Sequence, residues 1–387
     1  DGDKDLYVIS AGNEYPLNVK SIQDRLYINE KGKFINKKGL PEIYQHGSVV
    51  KNYDYDQDGD QDLFVGGRVV PGEYGYSPVS YLLINNGDGS FKIDNNNILK
   101  NFGMITDAKW EDMNGDGIKD LITCGDWNNI KILINENGKL REDTNFIGNK
   151  KFGWWFSIET ADFNNDGLMD IIAGNIGNNS KLKPTNENPI KMYVGDFDNN
   201  SNIEHIITYR KGFKEFPVSN KDELTKQLNY LNRDFFYYRD FAGLDINEIF
   251  SEEILSKNKV LFTNEFSSIL FINDGESFLV KELPLISQIS PVRDIQVLDY
   301  NNDNILDILL FGNFSSVSTY FGSFDSSYGI LLNGNGNATF NYINQAKSGL
   351  KIRGDITKVL PLDKNKSKFV LGKNNDRLSI ISLVDEH

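Results

Sequence analysis

The chain has 387 residues, a formal net charge of -14, a single cysteine and no apolar run long enough to cross a bilayer. So acidic a balance speaks against non-specific nucleic-acid binding, which needs a basic footprint, and one cysteine excludes an internal disulfide framework. Length alone would allow two or three domains, but repeats that run through the sequence favour one body over 1–387.

Residues 1–12 open with Asp1-Gly2-Asp3-Lys4-Asp5 and continue into Leu6-Tyr7-Val8-Ile9, the second half of an acidic loop followed by an apolar strand. The chain therefore starts inside a repeat, and any export signal is expected upstream of it. The first complete loop runs from Asp54 to Asp62. Asp54, Asp56, Asp58 and Asp62 put oxygen-bearing side chains at positions 1, 3, 5 and 9, Gly59 takes position 6, and Asp60 at position 7 offers its backbone carbonyl. An oxygen-only set on alternate residues is what a hard cation such as Ca²⁺ requires.

The register returns in Asp112, Asn114, Asp116, Ile118 and Asp120, and again in Asp162, Asn164, Asp166, Leu168 and Asp170, each followed by a Leu/Ile-rich strand. Two looser copies follow: Asp196, Asp198, Asn200, Asn202 and Glu204 with Ser201 at position 6, and Asp299, Asn301, Asp303, Ile305 and Asp307 with Asn304 there. A degenerate copy begins at Asp363. Three to five Ca²⁺ ions are expected, with a structural role, because carboxylates crowded into a tight turn repel one another until neutralised. Of the 55 acidic residues, 16 stand at these ligand positions, and five ions would bring the formal charge to -4. The acidity is thus poor support for a cationic partner.

Each loop sits between two strands, as between Ser48–Tyr53 and Leu63–Gly67, and a third strand and a Gly-centred turn follow, as in Tyr81–Asn85 and Asn86–Gly89. Four short strands per unit make a propeller blade. Loop starts at 54, 112, 162, 196 and 299, with the two partial copies, give an all-β, seven-bladed β-propeller, six being the alternative count. The alternative arises because Ile190–Val194 could be the third strand of one blade or the first of the next. Between 211 and 257 the pattern changes. Ser219 with Asp222 resembles a capping box, Leu224, Leu228 and Leu231 share a helical face, and Asp245 with Glu248 begins a second helix, so a small α-helical hairpin inserted in the propeller is expected.

The loop-plus-strand unit resembles the FG-GAP and VCBS-type repeats of integrin α-subunit propellers. A closer resemblance is to large bacterial extracellular proteins that share their propeller with cartilage acidic protein and often carry an ASPIC/UnbV module. It rests on Gln23–Asn29, Gly47–Val50, Gly66–Val69, Gly153-Trp154-Trp155, Gly174–Asn179 and Lys221–Leu224. The resemblance implies an extracellular or bacterial-surface location, outer-membrane associated, and a surface protein, a glycan or an outer-membrane assembly as partner.

Antiparallel neighbours reverse direction, so if the acidic loops gather at one end of the blades, the loops after each second strand gather at the other. Gly12–Tyr15 and the neighbourhoods of Arg68, Trp127, Asn175 and Asn313 belong there, joined by the blade-entering segments with Trp154, Trp155 and Arg293. Arg68, Trp127, Trp154, Trp155, Asn175, Arg293 and Asn313 are therefore the expected ligand face, a mixture suited to stacking on a sugar or a peptide surface. No catalytic constellation stands out: His46, His205 and His387 are scattered, no nucleophile elbow or phosphate loop is present, and Cys124 reads as a strand core residue. A non-catalytic binding propeller is expected, with a polysaccharide lyase or glycosidase as the alternative, since two acids across a funnel need no linear motif.

Overall fold

The computed structural model describes residues 3–12, 19–94, 97–318 and 321–383, and shows short antiparallel strands with few helices. Asp1, Gly2, Asn13, Glu14, Tyr15 and His387 lie outside the described residues. The chain forms two compact units, Asp1–Ile105 with Pro184–Glu265, and Thr106–Lys183 with Phe266–His387.

The first sheet joins β1 (Leu6–Val8), β2 (Arg25–Glu30) and β3 (Lys33–Lys37), and the second joins β4 (His46–Tyr53), β5 (Asp62–Val69), β6 (Tyr81–Asn85) and β7 (Phe91–Ile93). The third sheet has β8 (Met104–Glu111), β9 (Asp120–Asn129), β10 (Lys131–Asn135) and β11 (Leu140–Glu142) as a meander, in the second unit from Thr106 onward, and β12 (Phe152–Trp154) pairs with the far half of β9. The fourth sheet starts with β13 (Ser157–Ala161) and β14 (Asp170–Gly174). Before its third strand the chain builds a separate sheet in the first unit from β15 (Ile190–Gly195), β16 (Glu204–Lys211), β17 (Lys214–Pro217) and β18 (Lys259–Thr263), and only then supplies β19 (Ile269–Asn273) and β20 (Phe278–Glu282). Two more meanders complete the second unit: β21 (Val292–Leu298), β22 (Asp307–Gly312), β23 (Ile330–Gly334) and β24 (Phe340–Ile343), then β25 (Ile356–Pro361), β26 (Lys368–Lys373) and β27 (Ser379–Ser382).

The all-β, propeller-like class expected from the repeats is what these meanders form. Among the described residues there are seven sheets: four follow the chain as uninterrupted meanders, the third adds β12 to its meander, the fourth is interrupted in sequence between β14 and β19, and the last is the one built in that interruption. The Asp196 loop differs from expectation. Its sheet does not stand in line but is nested between β14 and β19, in the order β17-β16-β15-β18. Ile190–Val194 is accordingly a first strand. Pairing of β18 along β15, from Ile190↔Thr263 to Val194↔Lys259, brings the end of the excursion back beside its start, which is why a sheet can tolerate it.

Between β17 and β18 lie five short helices, not a two-helix hairpin: α1 (Lys221–Gln227), α2 (Leu231–Asp234), α3 (Tyr238–Phe241), α4 (Ile246–Ile249) and α5 (Glu252–Lys257). The cap of α1 is Asn220 in a box with Glu223, one residue beyond the Ser219 and Asp222 of the sequence reading, while Asp245 and Glu248 do box α4. Leu224, Leu228 and Leu231 are fully buried, against Phe197, Ile206 and Phe250. A seven-residue helix is marginal alone, so this apolar face, rather than propensity, holds α1.

In the second unit each sheet buries alternate residues against the next. Cys124 packs with Ile122, Trp155, Ile171 and Phe271, and burial pushes its thiol up to about 12. The strand-ending glycines have a steric cause. A Cβ on Gly174 would stand 2.3 Å from Val292 O, and one on Gly312 would stand 1.7 Å from Pro291 O.

Candidate functional site

All five complete loops share one backbone form. Position 1 accepts the position 6 N–H: Gly59 to Asp54 at 3.1 Å, Gly117 to Asp112 at 2.8 Å, Gly167 to Asp162 at 2.8 Å, Ser201 to Asp196 at 2.8 Å and Asn304 to Asp299 at 2.9 Å. Position 6 is left-handed in every loop, Ser201 (φ 69°) and Asn304 (φ 64°) included, so the two departures from glycine keep the turn. Position 4 is left-handed too, at Gln57, Gly115, Asn165, Asn199 and Asn302. Asn and Gly dominate there because they best tolerate that conformation, a sequence signal the ligand pattern concealed.

Position 9 ties the loop to its sheet. Asp62 is buried, and its carboxylate accepts Tyr55 N at 2.9 Å, within the loop, and Asn85 N at 2.8 Å, at the end of the third strand. Asp120 does the same with Met113 N and Asn135 N, Asp170 with Phe163 N and Asn273 N, and Asp307 with Tyr300 N and Gly334 N, all between 2.8 and 3.0 Å. In the opening half-loop Asp5 receives Asn29 N at 2.9 Å, as position 9 should. Burial raises the carboxyls of Asp62, Asp120, Asp170 and Asp307, Asp120 and Asp170 to about 6, against the pull of the two N–H donors. The third-strand Asn (Asn85, Asn135, Asn273) and the large apolar position 2 (Tyr55, Met113, Phe163, Phe197, Tyr300) recur visibly in the sequence but fall outside a ligand search.

Two loops bring three carboxylates together, with one oxygen of each within 4.8 Å of the others: Asp54, Asp56 and Asp58, and Asp196, Asp198 and Glu204. In each, one oxygen, Asp54 Oδ1 or Asp198 Oδ1, is buried and accepts no hydrogen bond. A shielded carboxylate oxygen without a donor is costly unless a cation answers it. The residues fit Ca²⁺: these carboxylates would supply the oxygen ligands and the ion the positive charge they lack. In the other three loops the amide at position 3 donates to the carboxylate at position 5, Asn114 to Asp116 at 2.9 Å, Asn164 to Asp166 at 2.7 Å and Asn301 to Asp303 at 2.8 Å. Those turns close partly on themselves.

The expected ligand face separates into two kinds of residue. Trp155 is fully buried with its Nε1 donating to Lys151 O at 3.2 Å. Asn175 is buried and accepts Trp154 N and Ile176 N, and Asn313 is buried and tied to Ser290, Ser327 and Gly354. These three hold the backbone and present nothing outward, a correction to their place in the ligand face. Trp127 is also buried, at the unusual φ of 50°, 5.1 Å from Trp154, which further contacts Phe266 and Phe321. Trp154 is half-buried and its Nε1 has no partner. Arg293 lies over both Phe156 and Phe314, 5.6 and 5.4 Å from the ring centres. Arg68, in the first unit, is half-buried on β5.

The first strands of the second unit carry charges that sequence reasoning overlooked. Lys358 Nζ on β25 is 2.8 Å from Asp294 Oδ2 on β21 and 3.8 Å from Asp107 Oδ2 on β8, and Lys109 pairs with Glu159. Burial raises the Asp294 carboxyl despite Lys358, and burial alone would lower Lys358, but Asp107 and Asp294 hold it above its ordinary value. Alternation of Asp107, Lys109 and Glu111 with buried Ala108 and Trp110 was the available signal.

Residues 54–123 and 112–173 match the family model described as an FG-GAP-like repeat, which covers the first three complete loops up to the strand after each. No curated protein sequence matches the chain. Among solved structures it is similar to a lectin of Agrocybe aegerita that recognises non-reducing terminal N-acetylglucosamine (13% identity, 93% of this chain and 88% of that one, TM-score 0.34). It is also similar to the V. cholerae biofilm matrix protein Bap1 (9% identity, 95% and 76%, TM-score 0.33) and a putative exo-beta-1,3-galactanase from Bifidobacterium bifidum (7% identity, 84% and 80%, TM-score 0.31). At such identities and TM-scores these likenesses carry no argument about what this chain does.

Proposed function

We propose that the chain is a calcium-stabilised extracellular binding module of the FG-GAP type, which recognises a glycan or a surface protein. The observation that carries the calcium part is the pair of buried, donor-less oxygens, Asp54 Oδ1 and Asp198 Oδ1, each set among three converging carboxylates. The recognition part rests on Trp154, part of whose ring stays exposed although its Nε1 is buried, and on Arg293, whose guanidinium is spread over two aromatic faces. Kinship with the cartilage acidic protein relatives and an outer-membrane setting belong to the same proposal. A glycan array and a surface-protein pull-down, each in calcium and in chelator, test it. Ligand capture should weaken when calcium is removed and be lost in W154A and R293A, and capture indifferent to all three would end the proposal.

A second reading, a polysaccharide-active enzyme, is favoured by Asp294, a buried carboxyl raised by burial and lying near Asp107. Turnover on a polysaccharide panel that vanishes in D294N would support it.

A further inference from the structure

The hairpin joining β16 to β17 breaks two local rules at its tip. Lys211 and Lys214 are its last cross-strand pair, so two like charges face each other directly, an arrangement that destabilises a hairpin. The turn between them is Gly212-Phe213, with Gly212 left-handed at φ 64°, and Phe213 is fully exposed, more so than any other large apolar side chain among the described residues. Lys214 has Glu248 at 3.1 Å as a partner, while no acidic side chain among the described residues pairs with Lys211. Arg210 is exposed one residue further back. Three cations and a projecting Phe within five residues stand out in a chain of net charge -14. Local conflicts of this kind concentrate where a sequence serves something other than its own fold.

We propose that this tip is a membrane-surface anchor that inserts Phe213 among the headgroups of an anionic bilayer, with Lys211, Lys214 and Arg210 at phosphate level. A projecting apex touches a soft planar surface first. The ring then enters an apolar layer that a rigid, hydrated polymer does not offer, and the cations one residue behind on either strand meet the phosphates. Repulsion between the acidic remainder of the chain and the surface is screened over about 8 Å at physiological ionic strength, so the leading cations dominate the contact. The contact is weak and salt-sensitive by construction, and it requires neither the glycan or protein recognition nor the calcium proposed above.

Flotation of the intact protein with phosphatidylcholine vesicles, with and without phosphatidylglycerol, tests it. Binding is expected only with phosphatidylglycerol, and it should fall steeply with salt. F213A and K211E should each weaken it, by roughly tenfold for the combined loss of the ring and a surface cation. Because Phe213 and Lys211 are exposed, thermal unfolding of F213A should match that of the parent, and K211E, which sets an acid opposite Lys214, should unfold at the same temperature or slightly above it, so neither variant loses vesicle binding by unfolding. Cys124 is buried, so F213C offers a single reactive thiol for a polarity-sensitive dye, whose emission should shift to the blue on vesicles. Absence of binding to anionic vesicles, binding undiminished in F213A, or loss by the same substitutions of an acidic polysaccharide in place of vesicles would overturn the proposal.

Discussion

The loops that begin at Asp54 and Asp196 carry the same acidic register and the same left-handed turns, yet they use position 9 differently. Asp62 follows the loop in a four-stranded meander, and its two oxygens are taken by Tyr55 N and Asn85 N. Glu204 follows the loop in the nested sheet and holds Phe197 N at 2.9 Å, with no third-strand donor among the described residues. Its longer side chain then joins Asp196 and Asp198 in the carboxylate group, which Asp62 does not do with Asp54, Asp56 and Asp58. A buried carboxylate needs an answer, and the answer can be backbone N–H donors or a cation. Topology selects between them: where a third strand ends beside the loop it supplies an N–H, and where none does the oxygen is left for an ion.

The largest expected effect separates these two answers. D62A removes the acceptor of two buried N–H groups, each hydrogen-bonded to a charged oxygen, and should cost about 3–5 kcal/mol in calcium and in chelator alike. E204Q keeps an oxygen for Phe197 N, so in chelator its denaturation midpoint should barely move. With calcium at about a hundredfold its dissociation constant, the parent gains roughly 2.7 kcal/mol from the site and E204Q should forgo most of that. Urea titrations under both conditions decide it, and equal behaviour of the two variants would remove the distinction.

Asp294 sharpens the comparison, because its answer is a cation built into the chain. K358M leaves Asp294 and Asp107 without their ammonium and should cost about 2 kcal/mol at pH 7, less than a fully buried pair because the lysine side chain is half exposed. The pH dependence has a definite sign. Burial already raises the Asp294 carboxyl in the folded state, and loss of Lys358 raises it further, so the folded variant binds more protons than the unfolded chain. The deficit of K358M should therefore shrink as pH falls from 7 toward 5, read as converging thermal midpoints of variant and parent.

Much of this was legible in the residues, and what was not has a physical reason. Loop positions, the strand on either side and the all-β class follow from local spacing, because an oxygen cage and a period-2 strand are both built from near neighbours. The nesting of β15–β18 was hidden because nothing local tells the chain that Ile269–Asn273, rather than Ile190–Val194, will pair with β14. Asp170 finds Asn273 N 103 residues away. The Ile272-Asn273-Asp274-Gly275 ending, matching Ile84-Asn85-Asn86-Gly87, was the clue. Trp155, Asn175 and Asn313 were misplaced for a related reason: a residue beside a corner glycine can point outward or tie the corner, and only the neighbouring sheet decides which.

The smallest expected effect concerns what the two loops share. Ser201 sits at φ 69° where the Asp54 loop has Gly59 at φ 99°, and its N–H still reaches Asp196 at 2.8 Å. A side chain in that conformation costs about 1 kcal/mol or more, which S201G would relieve, against about 0.4–1 kcal/mol for the added freedom of the unfolded chain. The net should be a gain of a few tenths of a kcal/mol. Asn304 occupies the same place at φ 64°, but asparagine tolerates it, so N304G should gain nothing or lose slightly. Opposite signs for these two substitutions, measured as shifts in denaturation midpoint in chelator, would show that the turn is held by backbone preference before any ion is considered. Equal gains would mean that Asn304 is strained as Ser201 is, and that both loops depend on the cation to stay bent.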